Sequence, residues 1–253
     1  MSSIDSTAPR TPLTPAEASH NPAGLFVTFE GGDGGGKSTQ IPLLEKWLQS
    51  ESSPFQGAEV TVTKEPGGSP LGAQIRELIL HSDHVSDRAE ALLYAADRAH
   101  HVETVVRPAL DAGGIVIGDR YLDSSVAYQG AGRALDPSDV YELSMWATGG
   151  LLPHVTFLLD ITPEALAERR EAASLDRLER EGIQFREAVR TAFLDLARRE
   201  PERWIVVDAS QSIEEVHAEI TQRLADWVRV NAHTLTGAAE HPVEGTTEPD
   251  SLL

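Results

Sequence analysis

The run Gly31-Gly32-Asp33-Gly34-Gly35-Gly36-Lys37-Ser38 constrains this chain more than any other segment. It satisfies G-x-x-x-x-G-K-[ST], directly after an apolar, strand-like run and directly before a stretch of helical character. Glycines permit positive-φ turns and close backbone approach, so successive N–H groups can surround a polyphosphate. The helix that follows adds the partial positive charge of its N-terminus. A glycine-rich turn that binds nothing is the alternative, and the register of strand, motif and helix argues against it. The nucleotide-binding candidates are therefore Gly31, Gly32, Asp33, Gly34, Gly35, Gly36, Lys37, Ser38 and Thr39. Lys37 is expected to bridge the β- and γ-phosphates of ATP, and the Ser38 hydroxyl to enter the shell of a Mg²⁺ ion.

Around this motif, short β-branched runs alternate with longer helical stretches, and no repeat of 20 to 50 residues is visible. The alternation predicts an α/β fold, a five-stranded parallel sheet flanked by helices. Strands are expected at 25–30, 59–64, 115–119, 155–161 and 204–208. Helices are expected at 37–49, 72–80, 88–112, 138–147, 163–171, 182–199 and 212–230. Residues 1–22, rich in Ser, Thr, Pro and Ala, read as a disordered N-terminal tail; residues 232–253, with four acids, read as a disordered acidic C-terminal tail. One domain, 23–231, lies between them.

The chain has 21 Lys and Arg against 40 Asp and Glu, a formal charge of −19. Such a molecule repels polyanions, which excludes a general nucleic-acid-binding role. The tails carry −1 and −4, so −14 falls on residues 23–231. The absence of cysteine excludes disulfides, thiolate metal sites and cysteine nucleophiles. No apolar run approaches the roughly 20 residues that span a bilayer, so no membrane partner is expected. A guanine-reading N-K-x-D element is also missing: the lysines are Lys37, Lys46 and Lys64, none in that context.

A second element is Ile115-Val116-Ile117-Gly118-Asp119-Arg120-Tyr121, an apolar strand ending in an acid and an arginine. Ligands of open α/β sheets sit outside the carboxyl ends of the strands, the edge that carries the phosphate loop. Asp119 is placed to hold Mg²⁺ or its water, and Arg120 to grip an acceptor phosphate with its bidentate fork. A surface ion pair closing a strand is the bland alternative.

Four segments in order, Phe29-Glu30-Gly31-Gly32-Asp33, Lys64-Glu65-Pro66-Gly67-Gly68-Ser69, Gly118-Asp119-Arg120-Tyr121 and Ala127-Tyr128-Gln129-Gly130, resemble bacterial thymidylate kinases. The resemblance runs over nearly all of residues 24–230. It implies a P-loop nucleoside monophosphate kinase architecture with a small lid, a cytoplasmic enzyme, a homodimer, and transfer of the γ-phosphoryl of ATP to dTMP. Carried over residue by residue, it puts Asp33 near the sugar and acceptor, Tyr94 stacked on thymine, and Arg98 on the base edge. An aromatic face holds a base and a directed donor discriminates it. Ser124, Ser125, Tyr128 and Gln129 line the thymidine pocket by the same resemblance, with Tyr128 disfavouring a ribose 2′-hydroxyl and Arg76 assisting at the acceptor site.

Some members of the family place an arginine within the phosphate loop, where this chain has Gly34; others supply arginines from the lid, here residues 169–180. The lid departs from the pattern, with Ala172-Ala173 where arginine is expected just before a glycine. Arg170 and Arg177 align best as the catalytic arginines, beside Lys37, Arg120 and Asp33, and Arg169 and Arg180 are the substitutes. Two other readings remain at this level: a P-loop kinase of another small acceptor, and a nucleotide-dependent binding module without an acceptor pocket.

Overall fold

A computed structural model describes residues 24–82, 84–131, 135–169 and 182–235. Five strands, β1 (Leu25–Glu30), β2 (Val60–Lys64), β3 (Ile115–Asp119), β4 (Val155–Asp160) and β5 (Trp204–Asp208), form one sheet in the order β2-β3-β1-β4-β5. Every pairing is parallel; Phe29 lies opposite Asp119 on one side of β1 and opposite Phe157 on the other.

The centre of the sheet is β1, and all six of its residues are buried because helices cover both faces. Leu25, Val27 and Phe29 point to the face covered by helix α1 (Lys37–Leu48) and the C-terminal helix. Phe26 points to the opposite face, where Val102, Val106, Leu110, Tyr121 and Leu122 pack. Period-2 alternation thus divides one apolar strand between two cores and leaves Glu30 on the Phe26 side.

Most predicted elements appear within two residues of their expected ends. Helix α2 (Pro70–His81) starts earlier because Pro70 occupies the first turn and the Ser69 hydroxyl accepts from the Gly72 N–H at 3.0 Å. One helix was predicted over 88–112; the structure breaks it into α3 (Asp87–His101), a π-helical turn Val102–Val106 and α4 (Arg107–Asp111). Pro108 explains the break, since its ring has no N–H and would meet the Thr104 carbonyl in a regular α-helix, and the wider turn relieves that clash.

The segment after β3 also folds helically, as α5 (Leu122–Ser125) and a π turn Val126–Ala131, too short for a 3.6-residue period to show. There follow α6 (Pro137–Thr148), α7 (Pro163–Arg169), α8 (Ile183–Arg199) and α9 (Ile213–Leu235). Helix α9 runs past the predicted end at 230, bending at Asn231, because no glycine or proline interrupts the sequence before Gly237. Residues 1–23 and 236–253, and with them most of the two expected tails, lie outside the described residues.

Candidate active site

The parallel order brings the loops after β1 and β3 side by side. Gly31, Gly34 and Gly36 take φ values of +125°, +84° and +103°, the left-handed region that glycine alone enters without strain. Gly31 is doubly constrained, because a Cβ there would come within 2.6 Å of the Leu159 carbonyl oxygen. Lys37 opens α1 and turns back over the loop, its Nζ donating to the carbonyls of Gly31 (2.9 Å) and Gly32 (3.1 Å). Burial first, and Arg120 next, pull the ammonium down to about 8. Ser38 and Thr39 are exposed at the start of the helix.

Asp119 and Arg120 arrive at the end of β3 as predicted. The Arg120 N–H donates to the Phe29 carbonyl at 3.0 Å, and the Asp119 carbonyl accepts from the Glu65 N–H at 3.0 Å. Arg120 has φ +71°, a conformation that costs a non-glycine residue about 1 kcal/mol or more and that persists where surroundings enforce it. From there its guanidinium reaches Asp33 Oδ1 (2.6 Å), the Ser124 hydroxyl (2.9 Å) and the Tyr128 hydroxyl (3.3 Å), and stacks over the Tyr128 ring at 5.1 Å. Burial alone would lower its pKa, but Asp33, Tyr128, Glu30 and Asp119 outweigh that and hold it charged.

Beneath this arginine sits Glu30, to which sequence reading assigned no role beyond its place in a strand and in a family segment. Its carboxylate accepts from the Tyr121 N–H (2.8 Å), the Ser124 N–H (3.2 Å) and the Ser124 hydroxyl (2.6 Å), and lies 4.0 Å from Arg120. Burial, then the charge of Asp123, push it up to about 7, against the opposing pull of Arg120.

A cavity of about 260 Å³ opens over these groups. Its walls include Asp33, Lys37, Arg76, Tyr94, Arg98, Asp119, Arg120, Ser124, Ser125, Tyr128 and Gln129, so it joins the phosphate loop to every described acceptor-site candidate. Tyr94 packs on Ile75, Ile79 and Leu80. Arg98 is buried, donating from Nε to Glu65 (2.8 Å), from Nη1 to Ser144 (3.1 Å), and from Nη2 to the Tyr121 carbonyl and Ser125 (3.1 Å each). Gln129 donates to Glu90 at 2.9 Å, and Arg76 to the Pro66 carbonyl at 3.1 Å. A second cavity, of about 340 Å³, has Ser38 and Asp119 in its lining. Asp119 Oδ1 is buried there without a hydrogen-bond partner. An orphaned carboxylate oxygen beside a serine hydroxyl is an oxygen donor set suited to Mg²⁺.

Sequence reading missed the buried acids and their partners: Glu30, Glu65 with His101, Glu90, and Asp123, which takes a bidentate grip from Arg203 at 2.7 and 2.9 Å. An acid within the otherwise uncharged run of β1 was a usable signal for Glu30. Nothing local announces a pair eighty residues apart. Arg170, Arg177 and Arg180 lie outside the described residues, and Arg169 is described only as the last residue of α7.

Fold and site together define a P-loop kinase of the nucleoside monophosphate class: a phosphate loop facing an acceptor cavity across an Asp-Arg strand end. The thymidylate kinase family model matches residues 29–220. The thymidylate kinase of Clavibacter michiganensis subsp. michiganensis is 61% identical over 212 residues, 83% of this chain and 98% of that protein. That of Leifsonia xyli subsp. xyli is 58% identical over 207 residues, 81% and 96% of the two chains. The crystal structure of thymidylate kinase from Ehrlichia chaffeensis superposes with a TM-score of 0.65 at 31% identity, covering 80% of this chain and 99% of the other. The chain belongs to the thymidylate kinase family, and it is an enzyme of that family, a dTMP kinase.

Proposed function

We propose that the chain makes dTDP and ADP from dTMP and ATP, for dTTP synthesis, with residue roles drawn from the family pattern and supported by the cavity geometry. One observation carries this reading: a single cavity is lined by Lys37 and Asp33 of the phosphate loop, by Arg120, and by Tyr94 and Arg98. An oxygen of the dTMP phosphate attacks the γ-phosphorus, and the bond to the bridging oxygen of ADP breaks. Such a transfer needs positioning and charge neutralisation more than covalent chemistry.

In this reading the loop N–H groups and Lys37 hold the donor phosphates. Arg120 holds the acceptor phosphate, braced by Asp33, Ser124 and Glu30, while Tyr94 stacks on the base and Arg98 reads its edge. Tyr128, stacked under Arg120, fills the space beside the sugar. Ser38 and Asp119 would hold Mg²⁺, directly or through its water, and bound Mg²⁺ supplies counter-charge to the phosphate oxygens. Arg170 and Arg177 are assigned to the transferring phosphoryl from the family pattern. The cytoplasmic setting comes from the same pattern.

A homodimer is part of the proposal. Leu71 and Leu78 of α2, Leu92 of α3 and Trp146 of α6 are exposed, Trp146 by 73%, and α3 packs against both α2 and α6. Exposed apolar side chains on neighbouring helices suit an association surface, and the homodimer itself comes from the family pattern. Light scattering at micromolar concentration is expected to give twice the mass of the 27.4 kDa chain.

The test of function is a coupled ADP-release assay with ATP and Mg²⁺, offering dTMP, dUMP, dGMP and AMP in competition. Preferred turnover with dTMP is expected. ATP turnover indifferent to every nucleoside monophosphate would reject the acceptor assignment.

A further inference from the structure

We propose that His101 is a positioning residue for base selection: it fixes Glu65, and through Glu65 the guanidinium of Arg98. The proposal rests on the reading of Arg98 as the group that meets the base edge.

Arg98 and His101 are three residues apart on α3 and therefore share a face of the helix. Glu65, immediately after β2, lies between them and divides its carboxylate: Oε2 accepts from Arg98 Nε at 2.8 Å, and Oε1 pairs with His101 Nδ1 at 2.9 Å. A carboxylate only accepts, so Nδ1 carries the hydrogen. His101 Nε2 lies 2.6 Å from the Thr63 hydroxyl, which donates to it when the ring is neutral. Both ring nitrogens are thereby engaged, and the imidazole has one orientation.

All three ionisable residues are at most 3% exposed, so an unpaired group here has no water to turn to. The turn above leaves the ring no room either: a Cβ on Gly68 would come within 2.5 Å of His101 Nε2 and 2.6 Å of the Thr63 hydroxyl. His101 is not part of the lining of the 260 Å³ cavity, whereas Glu65 and Arg98 are. Glu65 is the cavity-lining side chain to which His101 bonds, so it is the direct route from His101 to the substrate.

The consequence for selectivity follows from donor chemistry. A guanidinium only donates, so an Arg98 held in one plane favours a pyrimidine with a carbonyl oxygen at the base edge over one with an amino group. Without His101, Glu65 no longer fixes the Nε side of Arg98, and with only Ser144, Ser125 and the Tyr121 carbonyl holding its plane the distinction weakens.

The test uses the full chain with Mg²⁺, comparing dTMP with dCMP at saturating ATP and, separately, varying ATP at saturating dTMP. His101→Ala is expected to raise KM for dTMP about tenfold or more, the effect of leaving a charge-assisted hydrogen bond unmade. Its kcat and KM for ATP stay nearly unchanged, and the dTMP-over-dCMP preference in kcat/KM falls. His101→Asn, whose amide can donate to Glu65 in place of Nδ1, is expected to recover most of the preference. Thr63→Val, which removes only the donor to Nε2, shifts KM in the same direction by less. An unchanged preference in His101→Ala overturns the proposal, as does a parallel loss of kcat and of both KM values that Asn does not recover. Should His101→Ala fail to fold, an unchanged KM for dTMP in Thr63→Val overturns it. Failure of the wild-type chain to phosphorylate dTMP would instead reject the function itself.

Discussion

Replacing Glu30 by glutamine isolates one buried charge and fixes the sign of its effect. In the folded chain this carboxyl titrates at about 7, raised from 4.5 chiefly by burial. Between those values the folded state keeps a proton that the unfolded state has lost, so stability falls as pH rises through the window and is flat beyond about 7. At about 1.4 kcal/mol per pH unit the full interval is worth about 3 kcal/mol, and a comparison of pH 5 with pH 8 captures about 2 to 3 kcal/mol of it. Many other acids titrate in this chain, so the informative quantity is the difference between wild type and Glu30→Gln. Glutamine keeps an oxygen for the Tyr121 and Ser124 N–H groups and never ionises. Urea unfolding of both proteins at pH 5 and pH 8 is expected to show wild type losing about 2 to 3 kcal/mol more than the variant on going to pH 8. Parallel pH profiles would refute the raised titration of Glu30, and a variant that loses more than wild type would refute its sign.

Lys37→Ala is expected to lower kcat by orders of magnitude with an unchanged circular dichroism spectrum; near-normal turnover would remove Lys37 from the phosphate site. Arg170→Ala and Arg177→Ala are each expected to reduce kcat more than dTMP affinity, measured by steady-state kinetics beside equilibrium binding, and if neither changes turnover the role passes to Arg169 or Arg180. Arg203→Met strands the buried Asp123 carboxylate and is expected to cost about 3 to 5 kcal/mol in denaturant unfolding. A loss below about 1 kcal/mol, the range of an exposed ion pair, would mean that water reaches Asp123.

Much of this architecture was legible because the signals are local. The strands were found from their β-branched runs, the phosphate loop from eight consecutive residues, and Asp119 and Arg120 from the end of an apolar strand. What escaped depends on pairings distant in sequence. Pro108 is visible in the chain, but periodicity over 88–112 does not show that the helix absorbs it in a π turn rather than ending there. Short α5 contains no repeat of its helical period. Glu65 stands in a family segment of the sequence; its role as the partner of both Arg98 and His101 appears only when β2 and α3 are brought together. Arg98 illustrates the limit well, since the resemblance suggested its ligand but nothing in the chain disclosed the four protein groups that aim it.

All five strands point the same way, which splits the molecule into a working rim and an idle one. The connections at the idle rim, such as residues 49–59 ahead of β2 and 112–114 ahead of β3, hold none of the groups assigned to catalysis. Grafted tags, loop extensions or a fused reporter belong at the exposed positions Glu51-Ser52 or Gln56-Gly57, away from Ser53, Phe55 and Ala58, which pack inward, and at the opposite sheet edge from the phosphate loop.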